Sequence, residues 1–413
     1  MRGVSCASAI WFSLAALVTL TACGSRPPAV LVTFEKTVPG ASTVDMLVAT
    51  TRAPSLEPGV LFSGERDSDT SLENIVVSIP PEQNRRIGEV ALPRQIPPDP
   101  NREFAVIRID ELERGESIDW YNGFPGDRNH LLLFVHGFNN TYESAVFRFA
   151  QIVHDSKTNA VPVLFTWPSK ASIFAYNYDR ESANFSRTAL SDMIEFAIDH
   201  PEIGDITIMA HSMGSWLTME ALRQVSLTRG RIPDKITNVI LASPDVDIQV
   251  FSSQLRDMGP ERPHITIFTS LDDRALKISR RIAGGVDRLG AIDPSVEPYS
   301  SELERAGVTV MDLTKLQAND RLNHSKFAES PEVVKLIGQR LIDGQEVTDS
   351  DVSLAERIGA TSIGLAQTAG SAVGAVATLP IAIVDENARK DLGDRVEATT
   401  GGLGDTLQTA VGQ

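Results

Sequence analysis

Three residue types that together make a reactive nucleophile recur in this chain in one order and in one kind of place. Ser212 closes the run ITIMAHS (206–212) and opens the helix-like stretch MGSWLTMEALRQVS (213–226). Asp272 and Asp273 follow the run ITIFT (265–269), and His324 follows VTVMDL (308–313). A serine hydroxyl is a weak nucleophile until a neighbouring base takes its proton, and that base must be oriented by a third group. A strand that turns sharply into a helix exposes its serine and sets a helix N-terminus beneath it, where positive potential favours a developing oxyanion. Such a turn strains the serine backbone and requires small residues two positions away on either side. Ala210 and Gly214 meet that requirement. His324 is the only histidine downstream of Asp273. The acid is less determined: besides Asp273 and Asp272, Asp245 and Asp247 in SPDVD follow the run NVILA (238–242).

The elements that must position these groups are visible as a change of rhythm. From 46 to 115 short β-like runs (MLVATTR, IVVSIP, FAVIRI) are separated by prolines and acidic turns. PRQIPPDPNRE (93–103) is a connector that cannot be helical. From 131 onward the short apolar runs LLLFV, VPVLFT, ITIMA, NVILA, ITIFT and VTVMDL alternate with longer amphipathic stretches at 142–155, 181–199, 213–226 and 331–342. Asn140 and Glu143 have capping-box spacing at the first of these. Continuous apolar strands alternating with helices predict an α/β fold, a mostly parallel sheet with helices on both faces. Catalytic groups in such sheets sit at the carboxyl ends of the strands.

The pieces FVHGFNN, FTWPS, AHSMGS, LASPDVD, SLDDRAL and NHSKF, in that order over roughly residues 45–345, resemble the α/β-hydrolase superfamily. More closely, they are similar to a group of bacterial esterase- and lipase-like envelope proteins. The resemblance implies an acyl-enzyme mechanism with Ser212 as nucleophile, His324 as base and Asp273 as the acid that holds the imidazole. It implies an oxyanion hole made of the Phe138 and Met213 amides. The alternative acids are Asp245, Asp247 and Asp272. His136 is expected to orient the loop after LLLFV and His211 to pack under the turn. Asn139, Asn140 and Trp167 line an acyl pocket or stabilise loops, and residues 168–200 are the candidate cap. The chemistry calls for no cofactor and no metal. Carboxylic ester cleavage is the expected reaction; an acyltransferase or a peptidase on the same triad, and a non-catalytic hydrolase-like envelope scaffold, stand as alternatives.

The ends of the chain read differently. Arg2 is the only charge in the first 22 residues, and AIWFSLAALVTL (9–20) has signal-peptide length rather than bilayer-spanning length. It runs into Leu20-Thr21-Ala22-Cys23-Gly24, which resembles a bacterial lipobox and implies diacylglycerol on Cys23. The expected organisation is a signal peptide (1–22), a lipidated tether (23–45), the hydrolase domain (46–345) and a Gly/Ala-rich tail (346–413). The tail contains an uncharged stretch, 358–384, interrupted by Pro380. The expected location is the bacterial envelope, facing the periplasm, with the outer membrane favoured. The partners are a small-molecule or lipid ester and a membrane reached through the N-terminal anchor. The net charge of −16 argues against nucleic acid. Oligomeric state is left open.

Overall fold

The computed structural model describes residues 30–34, 38–125 and 129–338. Cys23, the 358–384 stretch and the tail lie outside them. The N-terminal β-like runs form strands β1 (Ser42–Pro54), β2 (Phe62–Ile79) and β3 (Ala105–Leu112), which pair antiparallel in that order. The expected domain boundary at 46 falls inside β1, and Val30 and Leu31 are already buried in the core. Helix α1 (Arg114–Gly123) then leads into the alternating part of the chain.

Each apolar run becomes a strand: β4 (His130–Val135), β5 (Val161–Thr166), β6 (Asp205–His211), β7 (Ile236–Ala242), β8 (His264–Thr269) and β9 (Val308–Asp312). Between and after them lie α2 (Tyr142–Ser156), α3 (Tyr176–Asp199), α4 (Met213–Arg229), α5 (Ile248–Met258), α6 (Arg274–Ile282), α7 (Tyr299–Arg305), α8 (Lys326–Glu329) and α9 (Pro331–Leu336). The strands make one nine-stranded sheet in the order β3-β2-β1-β5-β4-β6-β7-β8-β9, parallel from β1 to β9. The strands are apolar throughout because both faces of the sheet are covered. Along β4, Leu131, Leu133 and Val135 enter one core with residues of α3, α4 and α5, whereas Leu132 and Phe134 enter the other with α2 and α9.

Two expectations change. Residues 168–200 are not a cap: α3 occupies most of them, packs beside α4, and buries Ala183, Leu190 and Ile194 on the sheet. The N-cap of α2 is Thr141, whose hydroxyl accepts from Ser144 N at 3.1 Å, rather than Asn140. Helices α1, α5, α6 and α7 carry no signal that sequence reading picked up. They are short, and α1, α6 and α7 each rest only one or two buried side chains on the body, whereas α5 buries Ile248, Phe251, Leu255 and Met258. Among the described residues no helix is long and apolar enough to cross a membrane.

The two-faced core gives a direct expectation. Phe149 on α2 is fully buried, its ring stacked on Phe134 with centroids 5.3 Å apart. Phe149→Ala should cost about 3–5 kcal/mol in urea unfolding. A cost below about 1 kcal/mol would mean that the α2 face is not core.

Candidate active site

Ser212 links β6 to α4 with φ 54° and ψ −122°, a left-handed φ that a serine adopts only when its surroundings force it. The forcing contacts are backbone ones: Ser212 N donates to Ala242 O at 2.9 Å, and Ser212 O accepts from Ser215 N at 3.0 Å and Asp245 N at 3.1 Å. Non-glycine residues with positive φ gather at this edge of the sheet. Asn139, Ala171, Ser212, Ser243 and Asn323 all lie in segments that follow strands, and among the described residues only Lys157, at the end of α2, lies elsewhere.

The loop after β4 presses directly on this turn. A Cβ at Gly214 would lie 2.3 Å from His136 O, and one at Gly137 would lie 2.8 Å from Ser212 Cβ. Both positions therefore require glycine because of close approach, and the loop's left-handed residue is Asn139, with φ 60°. Ala210 is fully buried in β6. Phe138, next to Gly137, turns its ring edge-on to Tyr176, centroids 5.3 Å apart. Met213 is the first residue of α4, so its amide has no carbonyl within its own helix to donate to. Phe138 follows Gly137 in the loop that presses on this turn, and Met213 follows Ser212 directly.

Asp273 and His324 meet from separate strands. His324 Nδ1 lies 2.6 Å from Asp273 Oδ2, and Asp273 Oδ1 caps α6 by accepting from Leu276 N at 2.9 Å. Asp273 is fully buried. The His324 ring lies against that of His211, the neighbour of Ser212, with centroids 4.7 Å apart, and His211 Nε2 is 3.2 Å from His324 O. Burial alone would lower the His324 pKa. The Asp273 carboxylate, through its charge and its hydrogen bond, outweighs that, and the net shift is upward. With Nδ1 donating to Asp273, Nε2 is left as the ring's acceptor. His211 is held well below the usual histidine range by burial and by the neighbouring His324.

The alternative acids are all engaged elsewhere. Asp245 accepts from Tyr176 Oη at 3.0 Å and Ser279 Oγ at 2.5 Å and pairs with Arg288 at 3.3 Å. Asp247 is the N-cap of α5. Asp272 takes Lys326 Nζ at 2.6 Å and Asn323 Nδ2 at 2.9 Å. Lys326 is buried and also donates to Ser270, Leu313 O and Thr314 O, fastening the segment that bears His324 to the ends of β8 and β9. Asp320 accepts from the amides of Leu322, His324 and Ser325, completing that segment's frame.

A buried network that sequence reading missed holds the loop after β4. Arg52 of β1 is fully enclosed and donates to Thr166 Oγ1 (2.9 Å), Ser63 O, Ser169 O (both 3.2 Å) and Asn140 O (2.9 Å). Burial pulls its pKa down to about 10 against the pull of Glu143 and Asp179. Asp179, fully buried on α3, accepts from Ser169 Oγ, Lys170 N and, at 3.4 Å, Asn139 N. His136 Nε2 accepts from Trp167 N at 3.1 Å, which leaves the proton on Nδ1 facing Gly137 O at 2.8 Å. Burial, then the nearby Arg52 charge, push its pKa down to about 3, so it is an orienting group and not a base. Trp167 stacks on His136, and Asn140 Nδ2 donates to Gly137 O and Phe138 O, so both stabilise the loop. A cavity of about 780 Å³ lies between α1, α3 and strands β1 and β2, and none of Ser212, Asp273 and His324 lines it.

A family model described as an alpha/beta hydrolase of unknown function (DUF900) matches residues 122–340. An uncharacterised protein of Nostoc sp. is 26% identical over an aligned part covering 23% of this chain and 32% of that one. The chain therefore spans about a third of that relative's length. Among solved structures, a hyperthermophilic esterase from the archaeon Pyrobaculum calidifontis is 15% identical, with 53% of this chain and 76% of that one covered at a TM-score of 0.32. A Butyrivibrio proteoclasticus protein with ferulic acid bound is 12% identical over 53% of this chain and 92% of that one, TM-score 0.33.

The network around Arg52 makes a testable demand. Arg52→Met strips the buried Asp179 of its nearby cation and should cost about 3–5 kcal/mol in chemical unfolding. Adding Asp179→Asn should recover part of that loss, since the two groups act together. Strict additivity of the two changes would disprove the coupling.

Proposed function

The chain belongs to this alpha/beta-hydrolase family, and from that premise we propose that it is a serine hydrolase that cleaves carboxylic esters through an acyl-enzyme on Ser212. The observation that carries the reading is the Asp273–His324 pair at 2.6 Å, set beside a strained serine at the end of β6. His324 Nε2 takes the Ser212 proton as the hydroxyl attacks the acyl carbon. The Phe138 and Met213 amides bind the oxyanion of the tetrahedral intermediate, a donor of this kind contributing about 2.7–4 kcal/mol. His324 then protonates the leaving alcohol, and the same ring activates the water that releases the acid. Asp273 holds the ring in the required tautomer and stabilises its charged form.

A fluorophosphonate probe should label the wild-type chain on Ser212 and leave Ser212→Ala unlabelled; a wild-type chain that resists the probe would end the enzyme reading. Asp273→Asn should lower kcat by about 10⁴-fold, whereas Asp245→Asn, Asp247→Asn and Asp272→Asn should cost far less. Because the working base is neutral His324 and its pKa is raised, kcat/KM should fall as pH drops through an inflection above the ordinary histidine value of 6.5. Asp273→Asn should move that inflection down. A near-normal rate in Asp273→Asn with a large loss in Asp245→Asn would transfer the acid to the other loop.

We also infer that Cys23 carries lipid and holds the domain at the bacterial envelope. The support is the lipobox-like Leu20-Thr21-Ala22-Cys23 after a short apolar run. Grown with an alkyne-bearing fatty acid, cells should incorporate the label into the wild-type protein and not into Cys23→Ser. Equal labelling of the two would place the acyl group elsewhere.

A further inference from the structure

The chain is strongly acidic, yet its catalytic edge is not. Helix α6 begins at Asp273, the residue that faces His324, and reads RALKISRRI. Only Leu276 and Ser279 of this helix are buried. At 100° per residue, Arg274, Lys277 and Arg281 form one row on the exposed side, and Ile278 and Ile282 form the row beside it. Both isoleucines are 50% exposed. No geometric need of the fold explains this: a surface row opposite Leu276 and Ser279 would be equally stable if it were wholly polar.

The neighbouring segments extend the same character. The turn at Ile173–Ala175 leads into α3, and Tyr176 at its end ties it to α6 by a 2.9 Å contact between Tyr176 Oη and Ser279 Oγ. In that turn Phe174 is 94% exposed and Ile173 is 66% exposed. Leu322 is exposed two residues before His324, and Arg321 beside it adds another cation. The acidic groups nearby are already occupied. Asp287 pairs with Arg280, Asp272 with Lys326, and Asp320 with backbone amides; Asp245 is buried against Tyr176, Ser279 and Arg288. Among the described residues Lys277 and Arg281 make no ion pair, so their charge is presented outward.

We propose that this edge of the molecule docks on an anionic lipid bilayer, with Lys277 and Arg281 at the headgroups and Ile278, Ile282 and Phe174 entering the interface, so that Ser212 reaches lipid esters held in that surface. The proposal rests on Ser212 being the hydrolase nucleophile. Charge complementarity selects the partner. A basic row beside an aliphatic row is the pattern of a helix lying in a negatively charged interface. A nucleic-acid track would interleave its cations with aromatic stacking platforms, and the apolar residues of α6 are isoleucines. The location adds to this: these side chains come from segments at the same end of the sheet as Ser212, Asp273 and His324, so a bilayer covering them also covers the route to the nucleophile.

The test uses the full chain with vesicles of phosphatidylcholine alone or mixed with phosphatidylglycerol, comparing wild type with Lys277→Glu/Arg281→Glu. Both proteins share the same N-terminus, so any difference between them belongs to α6. Flotation should show the wild type preferring the mixed vesicles. The double variant should bind them about thirtyfold more weakly or worse, from roughly one kcal/mol per basic residue near the surface, and bind neutral vesicles unchanged. Raised salt should erase the difference by screening. Ile278→Ser/Ile282→Ser should weaken binding to both vesicle types. Turnover of a short water-soluble ester should stay the same in all variants, while hydrolysis of a long-chain ester embedded in mixed vesicles should fall with binding. Equal binding of wild type and Lys277→Glu/Arg281→Glu to mixed vesicles would overturn the proposal. So would a parallel loss of soluble-ester kcat/KM in that variant, which would put these cations in the substrate pocket. A wild type that floats with mixed vesicles but turns over no ester would leave the docking intact and remove the hydrolase reading instead.

Discussion

The architecture of this site depends on how closely the loop after β4 approaches the turn at Ser212. His136 O sits where a side chain at Gly214 would begin, and Gly137 lies almost against Ser212 Cβ. At that spacing two strained segments, one bearing Asn139 and one Ser212, are forced together, and something must hold them. The holding group is Arg52. A guanidinium with no direct carboxylate partner is costly to bury, and it persists because its N–H groups are taken up by Thr166, Ser63, Ser169 and Asn140. Asn140 and Ser169 lie in the loops after β4 and β5, while Thr166 ends β5 and Ser63 lies in β2, so one side chain from β1 ties two loops to the sheet. Asp179 supplies the compensating charge from α3 without touching Arg52, through Ser169, Lys170 and the Asn139 amide.

The opposite side of the site is built by the same logic with different residues. The segment bearing His324 has little regular structure, so its position has to come from side chains. Lys326 reaches four acceptors in the turns just after β8 and β9, and Asp320 gathers three amides. Asp272, next in the chain to Asp273, belongs to this frame. Its neighbour Asp273 does two jobs with its two oxygens, capping α6 and meeting the imidazole. A carboxylate fixed by a helix cap cannot rotate away from its histidine, which is why position 273 rather than 272 can hold the ring in register.

Much of this was legible in the sequence and some was not, for reasons of range. The parallel sheet was readable because strands covered on both faces become continuous apolar runs, as in LLLFV and NVILA. The order serine, aspartate, histidine was readable because each lies just past such a run. Arg52 and Lys326 were not. Their partners lie as far as 117 and 56 residues away, and an arginine in MLVATTR or a lysine in NHSKF looks like any surface cation until the fold closes on it. The capping residue of α2 was missed by one position because Asn140 and Thr141 are both good caps. Asn140 is drawn off by its own bonds to Gly137 O and Phe138 O. The 168–200 stretch was misjudged because its polar opening, Tyr178-Asp179-Arg180, looks like a surface loop, whereas Asp179 is a buried part of the Arg52 network.

Three histidines lie close together here, and their environments divide the roles among them. Burial lowers the proton affinity of all three. His136 also faces the Arg52 charge and is pushed down to about 3; His211 has an imidazole for a neighbour and falls well below its ordinary range. Only His324 has a carboxylate against its ring, and only its pKa rises. Groups pushed apart in this way have separate functions. The proton on His136 is committed to Gly137 O, and its lowered pKa keeps that ring neutral, so the loop after β4 is not held by a titrating histidine. With two of the three rings held neutral, the ring that still titrates is the one facing Asp273.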